Sequence, residues 1–250
     1  MPSRIAARCL FVAALALGAL AAFGVRDAQA ATLQISPVTI EFSPGEVATG
    51  LTLRNPGETP VYGQVRVFRW SQANGDDVLT PATDVIASPP LIEIAPHADQ
   101  LVRLVRTASA PPAGEESYRL LIDELPPPGS AAAEGVTIRL RYSVPVFVDA
   151  ANTAARPVLA WHLVHAPNGW ALRADNTGAR RAQIAAVQLV DDLGQTHDVT
   201  KGLLGYALAG QGRQWHVNLP PSTKPARLTV RATVNTQPLE APVTIDASGG

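Results

Sequence analysis

Five histidines offer the first candidates for acid–base or metal chemistry: His97, His162, His165, His197 and His216. His162 and His165 stand three apart in "LAWHLVHAP", a spacing that sends them to opposite faces of a strand. There is no H-E-x-x-H pair, and the one cysteine, Cys9, lies near the start of the chain, so the usual zinc-ligand sets find no donors. The sequence contains no G-x-S-x-G nucleophile turn and no glycine-rich phosphate loop. The adjacent carboxylates Asp76-Asp77 and Asp191-Asp192 have glycine nearby and read as hairpin turns. A carboxylate pair for glycoside chemistry would have to be assembled in space. The four tryptophans, Trp70, Trp161, Trp170 and Trp215, read as packing or hinge residues rather than a sugar platform. No catalytic residue, metal site or cofactor is expected; function should lie in surfaces and loops.

The elements that carry such surfaces are strands. Short runs rich in Val, Ile, Leu and Thr recur between Pro, Gly, Asn and Asp, among them "TLQISPVTIEF", "VYGQVRVFRWS", "QLVRLVRT" and "SYRLLIDELP". After residue 31 no long amphipathic helix is evident. The fold class is therefore all-β, of the sandwich type. "LTLRNPGETPVYGQVRVF" (51–68) resembles "WALRADNTGARRAQIAAVQLV" (170–190): each has a strand, an Asn-containing turn with Gly, then another strand. Two sandwiches of related design follow, residues 31–150 and 151–250, divided near "VDAANTAARP".

The first thirty residues have Arg4 and Arg8 ahead of an apolar run, and Ala28-Gln29-Ala30 closes it. Residues 1–30 read as a cleavable secretory signal, with an uncleaved anchor as the alternative. The mature chain would then have no cysteine and would stand on its core alone. A formal net charge of −1 and the lack of a basic cluster give no sign of a nucleic-acid partner.

"GVTIRLRYSVPVFV" (135–148) is the unusual strand. Val136, Ile138, Leu140, Tyr142 and Val144 alternate with Thr137, Arg139, Arg141 and Ser143 over a length that a seam between sheets does not need. A long alternating edge is an aggregation hazard unless its work is to pair with another chain. The other reading is that these five residues fill their own core. A strand can do both along different parts of its length.

"ISPVTIEF", "LRNPG", "ASPPLIEIAPHADQLVRLVR", "YRLLIDELPPP" and "RYSVPVFV", in that order, make the chain resemble the periplasmic chaperones of the chaperone–usher pilus pathway, nearest their archaic branch. The resemblance implies two immunoglobulin-like β-sandwich domains around a cleft, and a periplasmic location. It implies that Val136, Ile138, Leu140, Tyr142 and Val144 form a donor strand lent to the incomplete sandwich of a pilus subunit, with the approach at 125–135 ordered on binding. An outer-membrane usher would receive the subunit; by the same edge hazard, a free donor edge should either fray or be covered by self-association. Such a protein is an assembly chaperone, not an enzyme; a secreted carbohydrate-binding or adhesive sandwich is the alternative.

The resemblance also implies two cleft cations for the subunit's terminal carboxylate, but Thr39 and Pro145 occupy those positions. Arg141, Arg106 and Arg103 are the candidate substitutes, because a guanidinium grips a carboxylate with two bonds. Solvation of outer strand faces is the competing role, above all for Arg103 and Arg106. Glu124 matches the acid of the family's interdomain ion pair, although its expected arginine partner is Asp149 here.

Overall fold

The computed structural model describes residues 33–129, 138–166, 169–219 and 227–246. The expected signal segment (1–30), Val136 and residues 130–135 lie outside this set. The described residues form strands and turns, with no helix among them.

The first domain contains β1 (Gln34–Ser36), β2 (Ile40–Phe42), β3 (Ala48–Arg54), β4 (Val61–Ala73), β5 (Asp76–Pro81), β6 (Val85–Ser88), β7 (Leu91–Ile94), β8 (Asp99–Arg106), β9 (Glu116–Leu125) and β10 (Arg141–Val148). One sheet runs β1-β3-β8-β6; the facing sheet runs β2-β10-β9-β4-β5, with β7 also on β4. Period-two patterning explains the pairing. On β8, Val102 and Leu104 point inward and are fully buried, whereas Leu101, Arg103 and Val105 face solvent. Leu51 and Leu53 lie beside them on β3, and Phe42, Leu120, Ile122 and Val146 face them from the other sheet. β9 departs from the pattern: Ser117, Tyr118, Leu120, Leu121 and Ile122 are all buried, so both of its faces are covered.

The second domain contains β11 (Leu159–Ala166), β12 (Gly169–Asn176), β13 (Ala182–Asp191), β14 (Thr196–Ala207), β15 (Gly212–Val217), β16 (Leu228–Val234) and β17 (Gln237–Ile245). Its two layers are one continuous sheet, β14-β13-β16-β17-β11-β12-β15, folded over a core of Trp161, Leu163, Leu172, Ile184, Leu189 and Val230. The end strands come back toward each other, and the Trp215 indole packs against Gly205. Register shifts between Ile184 and Gln188 bend β13 where the sheet turns.

The repeated hairpin has one physical basis. Asn55 and Asn176 are both buried at the turn. Each side-chain amide donates to the carbonyl four residues on (Thr59 at 2.8 Å, Arg180 at 2.8 Å) and to a distant strand (Ile94 at 3.0 Å, Ala207 at 3.0 Å). Each carbonyl oxygen accepts the N–H two residues on, from Gly57 and Gly178, at 3.0 Å. A buried amide so satisfied fixes the turn, and no apolar residue supplies those bonds.

Candidate binding cleft and strand edge

β10 is bonded to β9 along its whole length, Arg141 opposite Asp123 through Val148 opposite Glu116. On its other side β2 pairs only with Val146–Val148. Among the described residues no strand takes the outer edge of Arg141–Pro145. Glu124 N–H donates to Leu140 C=O, so by alternation the N–H groups of Arg141 and Ser143 face outward.

The core-facing row climbs from buried to exposed along this open edge. Val146 and Val148 are fully buried and Val144 is 4% exposed. Tyr142 and Leu140 are half-buried, and Ile138 is 78% exposed. The structure thus corrects the expectation for Val144: it belongs to its own domain's core, among Val146, Leu120 and their neighbours. Tyr142 packs on that core too. Among the described residues of that row, Val144 and Tyr142 pack inward and Ile138 does not. Val136 falls outside the described residues.

The opposite face of β10 and β9 looks into the junction with the second domain. Phe147, Trp70, Tyr206 and Leu208 form a buried cluster there, with ring centroids 5.5–6.0 Å apart. Beside it Gln72 reaches across: its Nε2 donates to Tyr206 C=O at 2.8 Å, and its Oε1 accepts Leu208 N–H at 2.9 Å. The β4–β5 turn docks on β15, where Gly75 C=O accepts Gln214 N–H at 3.0 Å and Arg213 grips Asp76 at 2.6 Å. Gly75 is obligatory twice over, since its φ is +79° and a Cβ would lie 2.5 Å from Gln214 Cγ.

Charges complete the junction. Arg181 donates to Glu115 at 2.6 Å and also pairs with Glu41, while Arg180 reaches Asp149 at 3.5 Å. The Arg181 guanidinium lies 3.6 Å from the centre of the Phe147 ring. The Glu115 side chain is only 2% exposed, and burial pushes its carboxyl above the usual range although Arg181 opposes the shift. Between the domains is an open hollow of about 460 Å³ lined by Thr39, Glu41, Arg156, Arg180, Arg181, Gln183, Tyr206, Asn235 and Thr236.

Arg119, on β9 directly opposite Pro145, stands in the same junction. Its guanidinium carbon lies 3.7 Å from the Trp70 ring centre and 5.8 Å from that of Tyr206. Burial lowers its pKa, Asp77 and Tyr206 pull the other way, and it makes no ion pair with any described residue.

These positions rearrange the candidates drawn from sequence. Arg106 is 7% exposed and spends its guanidinium on the Glu46 and Ala110 carbonyls, so it braces a loop and is no free cation. Arg103 is on the other sheet, on its outer face. Arg141 shares Asp123 with Arg66, and those two guanidinia outweigh burial to hold the Asp123 carboxyl below its usual range. Glu124 is not at the domain junction: it contacts Leu140 and Tyr142 at the far end of β9. Glu115, just before β9, is the acid that meets the second domain, and the polarity is reversed, with Glu115, Glu41 and Asp149 on the first domain and Arg180 and Arg181 on the second. Arg119 and Glu115 were missed from sequence. The apolar Leu121, on the same side of "YRLLI" as Arg119, was the available sign that this strand is covered on both faces.

The histidines stay scattered: His162 lies 3.3 Å from Asp246, His197 3.3 Å from Asp191 and His97 3.2 Å from Glu58. Among the described residues no group of three or more His, Cys, Asp or Glu is placed to hold a metal ion.

Residues 32–154 match the family described as pili and flagellar-assembly chaperone, PapD N-terminal domain. No curated protein matches the chain in sequence. A chain of the CsuC–CsuE chaperone–tip adhesion subunit pre-assembly complex, from archaic chaperone–usher Csu pili of Acinetobacter baumannii, is 24% identical with a TM-score of 0.67, over 87% of this chain and 100% of that one. The Pseudomonas aeruginosa CupB2 chaperone is 16% identical with a TM-score of 0.56, over 84% of this chain and 100% of its own. A chain of the Salmonella enterica SafA pilin–SafB chaperone complex is 18% identical, TM-score 0.56, over 85% of this chain and 94% of that one. At these identities the likeness is one of fold, two immunoglobulin-like sandwiches.

Proposed function

We propose that this chain, which belongs through its N-terminal domain to the PapD-like family of pili and flagellar-assembly chaperones, holds pilus subunits in the periplasm by lending them the strand that leads into β10. The observation that carries the reading is the unpaired edge of Arg141–Pro145, continued upstream by a row that rises out of the core through Leu140 to the exposed Ile138. An incomplete sandwich meeting that edge gains backbone bonds from Arg141 and Ser143 and accepts Leu140, Ile138 and Val136 in its groove. Each fully buried aliphatic side chain contributes about 1.5–3 kcal/mol, from which association entropy and loop ordering subtract a large share. The subunit stays folded but weakly enough held to be passed to an outer-membrane usher. Without a subunit, the same edge supports pairing between two copies of the chain.

Arg119 is the residue best placed to receive the subunit's terminal carboxylate. Among the described residues it forms no ion pair, though Asp77 acts on it from a distance; it lies over the Trp70 ring and level with Pro145, one of the two positions where a cleft cation was expected. Arg141 is the second candidate, since it must first give up Asp123. The sugar-binding alternative finds little support: Trp70 and Trp161 are each 2% exposed, and the half-buried Trp170 and Trp215 are packed against His165 and Gly205.

The test is co-expression with a pilus subunit. Parent chain and subunit should co-purify from the periplasm, and Leu140→Asp should lose the subunit. Undiminished recovery with Leu140→Asp would remove the lent strand from the mechanism.

A further inference from the structure

We infer that Glu124 is a positioning residue that fixes where the lent strand leaves its own domain, an inference that rests on the strand-lending reading above. Both carboxylate oxygens are engaged by that strand. Leu140 N–H donates to Oε2 at 3.2 Å, and the Tyr142 hydroxyl donates to Oε1 at 3.2 Å. The same hydroxyl accepts Leu33 N–H at 3.0 Å. Three distant pieces of chain therefore meet at one carboxylate.

Its place in the ladder gives the contact its meaning. Glu124 N–H donates to Leu140 C=O at 3.0 Å, as in a regular antiparallel pair. The return bond from Leu140 N–H would ordinarily go to the Glu124 carbonyl; the carboxylate takes it instead. The ladder ends on a side chain at the boundary found above, with Val144 buried on one side and Ile138 exposed on the other. Tyr142 is held home, Leu140 is held at the rim, and the row from Leu140 upstream is what can enter another sandwich. The register follows, because a slip of one residue would turn Arg139 and Arg141 into an apolar groove. A carboxylate suits the task because it offers two acceptors, whereas a glutamine amide offers one acceptor and one donor group. Burial and the Glu124 charge push the Tyr142 pKa up, which keeps the hydroxyl proton available to donate.

The experiment uses the mature chain carrying Glu124→Gln or Tyr142→Phe. Amide exchange by NMR in the free protein should be about tenfold faster at Leu140 in Glu124→Gln, the scale of one charge-assisted bond, with Leu120 and Val146 unchanged. Tyr142→Phe leaves the carboxylate in place and should keep Leu140 protected. A co-expressed pilus subunit should leave the Glu124→Gln complex about tenfold faster than the parent complex. Unchanged exchange at Leu140 overturns the inference. So does acceleration across the whole domain, which would mean a merely structural role, or a looser Leu140 with no change in subunit release. Failure of strand lending itself reads differently: Leu140→Asp would then retain the subunit whatever Glu124→Gln does.

Discussion

The Arg119 guanidinium carbon lies over the Trp70 ring, 3.7 Å from its centre, on neighbouring strands at the domain junction. Stacking supplies attraction without neutralising the charge, so the cation remains available to an incoming anion. The contact also holds the guanidinium against the ring before any ligand arrives. Such preorganisation reduces the ordering cost of binding.

Arg119→Ala should therefore weaken subunit capture by about tenfold to a hundredfold, the value of one or two charge-assisted bonds. Titration calorimetry against a purified subunit measures it. A subunit whose C-terminus is amidated should bind parent and variant alike. If the Arg119→Ala loss persists with the amidated subunit, the arginine supports the fold of the junction and grips no carboxylate. Arg141→Ala should cost less, because Arg141 already answers Asp123.

Acid should expose the Asp123 pairs. Burial raises the Asp123 carboxyl, but Arg141 and Arg66 outweigh it, so its folded pKa lies below the unfolded value. A lowered carboxylate contributes stability above the unfolded pKa, about 3.9, and loses it as pH falls through the folded value. Melting temperature followed from about pH 5 downward should fall less steeply in Asp123→Asn than in the parent. Glu115 works in the opposite sense: its raised pKa contributes stability below the unfolded value that is lost as pH rises through the folded one. Parallel acid slopes in parent and Asp123→Asn would mean that the two arginines do not govern this carboxylate.

The paired turns give a stability test in each domain. Asn55→Ala strands the Ile94 and Thr59 carbonyls and the Gly57 N–H, and Asn176→Ala does the same to Ala207, Arg180 and Gly178. Each orphaned buried group costs about 1–3 kcal/mol. In a domain of this size each kcal/mol lowers Tm by about 4–8 °C. Calorimetry should show a drop of many degrees for both variants and of similar size. A drop in one alone would mean that the matching geometry does not carry matching energy.

Strands and turns were legible because a half-buried strand must alternate and a buried amide must be satisfied; both constraints act within a few residues. What was illegible depends on direction across the molecule. "EESYRLLIDEL" has acids at both ends of a ten-residue strand, roughly 30 Å apart, and nothing local says that Glu115 rather than Glu124 meets the second domain. Counting along the first strand and β10 found no cleft cation at Thr39 or Pro145, while Arg119 stands across the ladder on β9. The alternation along the row carries no mark of where burial ends, between the buried Val144 and the exposed Ile138.

That change in burial makes the sharpest prediction. Ile138 and Val144 fall in the same period-two row, yet Ile138, ahead of β10, is 78% exposed and Val144, on β10, is 4% exposed. A carboxylate at position 138 meets water in the free protein, so Ile138→Asp should melt within about 1 °C of the parent, as surface substitutions do. In the complex the same carboxylate would have to enter an apolar groove, where an unpaired charge is either neutralised or excluded. Recovery of subunit with Ile138→Asp should therefore fall to background. Val144→Asp places the charge among Val146, Leu120 and their neighbours, and should unfold the first domain or lower its melting by many degrees before any subunit is added. Circular dichroism melts of the two variants, read beside the yield of co-purified subunit, separate lending from packing at single-residue resolution. If Ile138→Asp melts as early as Val144→Asp, the row is one continuous core and nothing on it is lent.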